Sequence, residues 1–110
     1  MFQDICVSLH QISTPVIKQE DIVRTIEAYY NVRYKDILAK FNQNYPDNIA
    51  KDMVIYMYRN VLHMKIVTIA KEFGMTARNI SYRLQHSTPK INGKGKLAKD
   101  YKDLMEILNS

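Results

Sequence analysis

Residues 66–86 read IVTIAKEFGMTARNISYRLQH and predict two short helices joined by a tight turn. In the first half, apolar residues recur at the three- and four-residue spacing of one helix face; they are Ile66, Ile69, Ala70 and Phe73. Gly74 favours the end of that helix, because glycine readily adopts the left-handed conformation of a C-terminal cap. Thr76 is typical of a residue that caps the next helix, since its hydroxyl can accept a hydrogen bond from a free amide.

The second half of this stretch carries an apolar stripe and a polar outer face. Ala77, Ile80 and Leu84 form the stripe, and the remaining positions are hydrogen-bonding or basic. A helix, a glycine turn and a second helix with a basic outer face are the sequence form of a helix-turn-helix. The stretch therefore predicts a DNA-reading unit that the rest of the chain holds in place.

Length and composition indicate one small domain. The 110 residues are close to the commonest domain size, and 46% of them are apolar and 25% charged. A single cysteine, Cys6, cannot form an internal disulfide, which is typical of a reducing compartment. No apolar run approaches the ~20 residues of a membrane span, and the first residues lack the features of a secretion signal. We therefore expect a cytoplasmic protein without a membrane partner.

The positive charge is concentrated in and after the predicted helix-turn-helix. The net charge is +5, and from Arg78 to Lys99 there are six basic residues and no acidic one. A cationic stretch of this kind suits a polyanion such as double-stranded DNA. The alternative interpretation is a lysine-rich face that serves only solubility.

Apolar periodicity predicts helices in the other segments too. They cover residues 19–32, 34–41, 49–63 and 96–109, with a loop of turn-forming residues at 42–48 in which Pro46 and Asp47 open the next helix. The helix at 49–63 is apolar on several sides, which favours a central, buried position. The Tyr29-Tyr30 pair is interpreted as core. Thr88-Pro89 is expected to end or bend the second helix of the motif, and residues 91–96 to form a flexible connector.

The fold class that follows is all-α, with about six helices and a central helix-turn-helix. Residues 18–110 are expected to form this DNA-binding domain. Residues 1–17 are predicted to be an N-terminal arm or linker, because Thr14-Pro15 reads as a break.

Several segments resemble those of a known family in their order along the chain and in their residues. They are DIVRTIEAYYNV, YKDILAK, the long helix around Met53, IAKEFG and KDYKDLMEIL, and together they cover about residues 18–110. In these pieces the chain resembles the C-terminal DNA-binding domain of the bacterial chromosomal replication initiator DnaA, whose helix-turn-helix is of the Trp-repressor type. The resemblance implies sequence-specific binding of double-stranded DNA in replication initiation or its regulation, with a replication protein as a further partner.

Two parts of the chain depart from that family. Where the family's recognition helix opens with Gly-Gly-Arg-Asp-His-Thr-Thr-Val, residues 74–80 read GMTARNI and keep only the first glycine. The family's arginine-rich loop before the long helix is here FNQNYPDN at 41–48, with Lys40 and Lys51 at its edges. The scaffold is expected to be shared, whereas the target sequence of the initiator is not transferred to this chain.

Candidate base contacts lie on the second helix of the motif: Arg78, Asn79, Ser81, Tyr82 and Gln85. Arg78 comes first, because a guanidinium can bridge O6 and N7 of guanine. Candidate contacts to the DNA backbone are Thr76, Lys71, Arg83, Lys90, Lys94 and Lys96. They are assigned because phosphate binds to free amides at a helix start and to cationic side chains.

A catalytic role has little support in the sequence. The three histidines, His10, His63 and His86, are far apart, and neither a zinc-binding H-E-x-x-H nor a nucleophile elbow occurs. The phosphate loop G-x-x-x-x-G-K-S/T is also missing. We therefore expect no enzyme activity, no metal site and no nucleotide cofactor.

Two other interpretations stay open. The same scaffold could serve as a protein–protein interaction module that has lost DNA reading, or the protein could be a transcriptional regulator. The sequence leaves the oligomeric state undecided.

Overall fold

The chain folds into a bundle of α-helices. The computed structural model describes residues 16–39 and 45–109, and in this part of the chain the helices make up all the regular secondary structure. They are α1 (Gln19–Tyr30), α2 (Tyr34–Leu38), α3 (Tyr45–Asn60), α4 (Ile66–Phe73), α5 (Ala77–Ile91) and α6 (Lys96–Leu108). The predicted all-α fold is confirmed. Of the predicted N-terminal arm, all but Val16 and Ile17 lies outside the described residues.

α3 is the helix around which the others pack. Its residues from Met53 to Tyr58 are all buried, with exposures of at most 7%. Successive residues of an α-helix point about 100° apart, so such a run needs neighbours on every side. α1, α2, α4 and α5 all pack against α3, whereas α6 packs mainly against α1 and α5. The predicted central position of this segment is confirmed.

Several helix boundaries differ from the sequence prediction. α3 begins at Tyr45, within the predicted loop, and Pro46 falls in its first turn. Proline is tolerated there because the first N–H groups of a helix have no intrahelical acceptor, so the lack of an N–H breaks no hydrogen bond. α5 continues through Pro89 to Ile91, since the bond from the Asn92 N–H to the Thr88 carbonyl (3.0 Å) closes its last turn. Of the two predicted effects of Thr88-Pro89, an end of the helix is wrong and a bend stays a prediction. The connector is correspondingly shorter, at 92–95.

A polar cluster joins α1 to α6. The carboxylate of Asp100 is 2% exposed and accepts hydrogen bonds from the hydroxyls of Tyr29 (3.1 Å) and Tyr30 (2.8 Å) and from the Lys96 ammonium (2.9 Å). The Tyr29 hydroxyl also donates to Asp103 at 2.8 Å. Burial and these carboxylates raise the pKa of Tyr29, so its hydroxyl keeps its proton. The tyrosine pair is therefore part of the packing between α1 and α6, as the sequence predicted.

A second polar cluster joins α1, α2, α3 and α4. Tyr58 is completely buried, and its hydroxyl lies 2.7 Å from that of Tyr34, which donates to Glu72 at 2.8 Å. The amide of Gln19 donates to the Tyr58 hydroxyl at 3.2 Å. Burial raises the pKa of both tyrosines. This cluster fixes the first helix of the predicted motif to the rest of the bundle.

None of the helices in the described ranges combines the length and apolar character that a bilayer crossing requires.

The polar cluster between α1 and α6 gives a stability prediction. Tyr29→Phe removes a hydroxyl that bonds to two carboxylates, and we expect a loss of about 1 to 2 kcal/mol in the free energy of unfolding. Tyr82→Phe is the matched control, because Tyr82 is 62% exposed and surface changes alter stability by less than about 0.5 kcal/mol. Urea denaturation followed by circular dichroism measures both. Equal losses in the two variants would contradict a stabilising role for the cluster.

Candidate nucleic-acid interface

The turn between α4 and α5 has the geometry that the sequence predicts. Gly74 adopts the left-handed conformation (φ 63°, ψ 33°), and its N–H donates to the Lys71 carbonyl at 3.3 Å. The next amide, of Met75, donates to the Ala70 carbonyl at 2.9 Å. The Thr76 hydroxyl then accepts a hydrogen bond from the Asn79 N–H at 3.1 Å and so caps α5. A short turn therefore joins the two helices, with backbone hydrogen bonds at the end of α4 and a side-chain cap at the start of α5.

The inner faces of α4 and α5 belong to the core. Ile69 and Phe73 of α4 and Ile80 and Ile91 of α5 are all at most 4% exposed, and Leu84 packs against them. α4 and α5 pack against each other and against α3. This packing fixes which side of α5 is turned to solvent.

The predicted base-contacting residues all lie on the solvent side of α5. Arg78, Asn79, Ser81, Tyr82 and Gln85 are exposed. Arg78, Tyr82 and Gln85 follow one another at four- and three-residue spacing, which places them on one face, opposite the buried Ile80. The structure therefore brings these side chains together on one surface. Their contact with DNA bases remains a prediction.

Four of the six predicted backbone contacts are exposed and form no ion pair within the described ranges; they are Thr76, Lys71, Lys90 and Lys94. Lys71 lies in the last turn of α4 and Lys90 in the last turn of α5. Lys94 follows in the connector to α6. Thr76 therefore lies at the start of α5, Lys90 and Lys94 lie at and just after its end, and Lys71 lies on the neighbouring helix α4.

The other two predicted backbone contacts, Arg83 and Lys96, are already bound to carboxylates. Arg83 lies on the flank of α5 that faces α3, where its guanidinium donates to Asp52 at 2.6 Å and to the side-chain carbonyl of Asn48 at 3.2 Å. Its side chain is only 24% exposed. Lys96 is paired with Asp100 at 2.9 Å. A phosphate contact by either cation would have to compete with its carboxylate, so we assign Arg83 to the anchoring of α5.

Two exposed residues near this surface were not predicted as site residues. His86 lies one turn beyond Tyr82, with ring centroids 4.3 Å apart, and this four-residue spacing is visible in the sequence. Lys65 occupies the N-cap position of α4, where a cation sits beside free helical amides. A groove of about 360 Å³ runs along this flank of α5, lined by Asp52, Met75, Asn79, Tyr82, Arg83 and His86.

The segment that contains the motif and the connector after it carries mostly positive charge. From Lys65 to Lys99 there are eight basic residues and one acidic residue, Glu72. Glu72 accepts hydrogen bonds from Tyr34 of α2 (2.8 Å) and Gln19 of α1 (3.5 Å), on the side of α4 that meets the bundle. α5 itself contains no acidic residue. Its exposed face therefore presents hydrogen-bonding groups and cations without an acidic neighbour on the same helix.

No protein-family model, curated protein or solved structure matches the chain. The resemblance to the replication initiator's C-terminal domain thus rests on the residues quoted above. Within the described ranges, no three His, Cys, Asp or Glu side chains lie close enough together to hold a metal ion, and Cys6 and His10 lie outside those ranges. Function has to be inferred from the geometry of α4 and α5.

The ion pair between Arg83 and Asp52 gives a second stability prediction. Because both side chains are about three-quarters buried, we expect Arg83→Ala and Asp52→Ala to be coupled by about 1 kcal/mol in a double-mutant cycle. The matched control is the Arg24–Asp21 pair, in which Arg24 is 73% exposed, with an expected coupling of about 0.3 kcal/mol. Unfolding in urea measures both cycles. A coupling no larger than that of the control would contradict the anchoring role of Arg83.

Proposed function

We propose that this protein binds double-stranded DNA sequence-specifically, with α4 and α5 as a helix-turn-helix and α5 in the major groove. The observation that carries the proposal is the exposed face of α5, which contains hydrogen-bonding side chains, cations and no acidic group. The capped turn at Gly74 and Thr76 supports it further, because this turn joins the two helices of such motifs closely.

In this proposal the exposed face of α5 reads the bases. The major groove of B-DNA is wide enough for one helix, and the N-terminal part of a recognition helix contacts base edges. Arg78 lies in the first turn, where its guanidinium can bridge O6 and N7 of a guanine. Gln85 lies two turns further along the helix, about 10 Å from Arg78, which corresponds to about three base pairs of the duplex. Its amide can form two hydrogen bonds with N6 and N7 of an adenine. Ser81 and Asn79 lie on either side of this line.

Contacts to phosphate provide affinity without sequence information. Lys71, Lys90 and Lys94 are exposed around α5 and can each meet a phosphate. The first amides of α5, next to Thr76, offer a further phosphate site, since the N-terminal end of a helix favours an anion. Contacts at both ends of α5 would hold the helix in one orientation along the groove.

The setting that we propose is replication initiation or its regulation in the cytoplasm, with a replication protein as a further partner. This part of the proposal is supported by the resemblance of the helix order and of the IAKEFG and YY segments to the initiator's DNA-binding domain. A transcriptional regulator would use the same surface. Selection from a random duplex library, followed by mapping of the selected site in the genome, separates these two roles.

The salt dependence of DNA binding tests the proposal directly. We expect log K for duplex DNA to fall by about 0.9 per log unit of salt for each phosphate neutralised. Lys90→Ala should therefore reduce the slope by about 0.9, whereas Lys35→Ala, which changes an exposed lysine of α2 outside the motif, should leave it unchanged. Fluorescence anisotropy over a salt series measures both. Absence of salt-sensitive binding at low ionic strength would contradict DNA binding and favour a protein-interaction module.

Base reading and backbone positioning are separated by a second pair of variants. Arg78→Ala should relax the preference at one base pair of the selected site, with a loss of about 1 to 3 kcal/mol for that site. Lys94→Ala should weaken binding to all sequences alike. Competition titrations against single-base-pair changes in the selected site measure the difference. If neither variant changes the preference, α5 is not the reading helix.

A further inference from the structure

One aromatic side chain stands in the middle of the exposed polar face of α5. Tyr82 is 62% exposed, and it lies four residues after Arg78 and three before Gln85. Within the described part of the chain its hydroxyl forms no hydrogen bond. A large ring left in water costs free energy that its burial against a partner would recover. Its position is therefore that of a contact residue.

The ring of Tyr82 is held by its neighbour one turn further on. The imidazole of His86 lies against it, with ring centroids 4.3 Å apart and an angle of 53° between the ring planes. Such a contact restricts the rotamers of Tyr82, so less side-chain entropy is lost when the ring meets a ligand. α5 thus presents an ordered apolar surface between two hydrogen-bonding side chains.

The base edges of the major groove offer one apolar group to such a ring. Guanine, cytosine and adenine present only donors and acceptors there, whereas thymine adds its C5-methyl group. The alternative partner for Tyr82 is a phosphate, which would use the hydroxyl and not the ring. The central position of Tyr82 favours the base, because phosphates lie at the edges of the groove.

We propose that the ring of Tyr82, held by His86, contacts the C5-methyl of a thymine between the base pairs that Arg78 and Gln85 read. This inference rests on the proposed function, and it adds to it one base of the target site. Tyr82 is then a specificity-determining residue through its apolar surface.

Replacement of thymine by deoxyuridine tests the inference, because it removes only the methyl group. In the site selected from a random duplex library, each thymine is replaced in turn. For the wild-type protein we expect about a fourfold loss of affinity at one position, as for the loss of one buried methyl group. Tyr82→Ala should bind the thymine site more weakly and show no further loss with deoxyuridine. Tyr82→Phe should keep the deoxyuridine effect.

Two controls keep the outcomes apart. Val67→Ala removes another exposed apolar side chain of the motif, 56% exposed on α4, and should keep the full deoxyuridine effect. If Tyr82→Phe is as weak as Tyr82→Ala and no position responds to deoxyuridine, Tyr82 contacts phosphate and the inference is wrong. A selected site without thymine between the Arg78 and Gln85 positions overturns it as well. Loss of salt-sensitive duplex binding altogether would instead contradict the proposed function.

Discussion

Burial of α3 around its whole circumference is the constraint on which the other helices depend. Because six successive residues of this helix are buried, it can be stable only where other elements surround it. α4 and α5 cover one side of α3. The ring of Phe73 on α4 packs against that of Tyr58 on α3, with 6.2 Å between the ring centroids. The helix-turn-helix is thus an integral part of the bundle and does not form a separate unit. Its inner faces pack in the core, and its outer face is exposed.

The polar clusters inside the bundle also shape the electrostatics outside it. Glu72 of α4, Asp52 of α3 and Asp100 of α6 each accept a hydrogen bond from a hydroxyl or a cation. Their charges lie away from the outward face of α5, or are matched by Arg83 and Lys96. α5 itself adds no acidic residue to that face, which favours the approach of a polyanion.

The features that the sequence predicted well are local ones. The Gly74 turn and the Thr76 cap each depend on residues within five positions, and the apolar stripes depend on one helical period. The anchoring of Arg83 could not be predicted, because its partner Asp52 lies 31 residues earlier and meets it only through the packing of α5 on α3. The Lys96–Asp100 pair, by contrast, has the four-residue spacing of a helical ion pair and could have been recognised. Local propensity at Pro89 favours an end or a bend of α5, whereas the helix continues to Ile91, which packs in the core.

The circumference of α5 is divided between contacts to the bundle and an exposed face, and in our proposal the exposed face reads bases. Ile80 and Ile91 hold it from the core side, Arg83 holds one flank, and the face opposite the core is free. A helix that reads bases has to keep one orientation, since displacements of about 1 Å misplace its hydrogen bonds. The flank contact reinforces the orientation that the apolar packing gives α5, because the Arg83 guanidinium is bound to two oxygens outside the apolar core. The same side chain that the sequence suggests as a phosphate ligand is thus better suited to fix the direction in which the neighbouring side chains point.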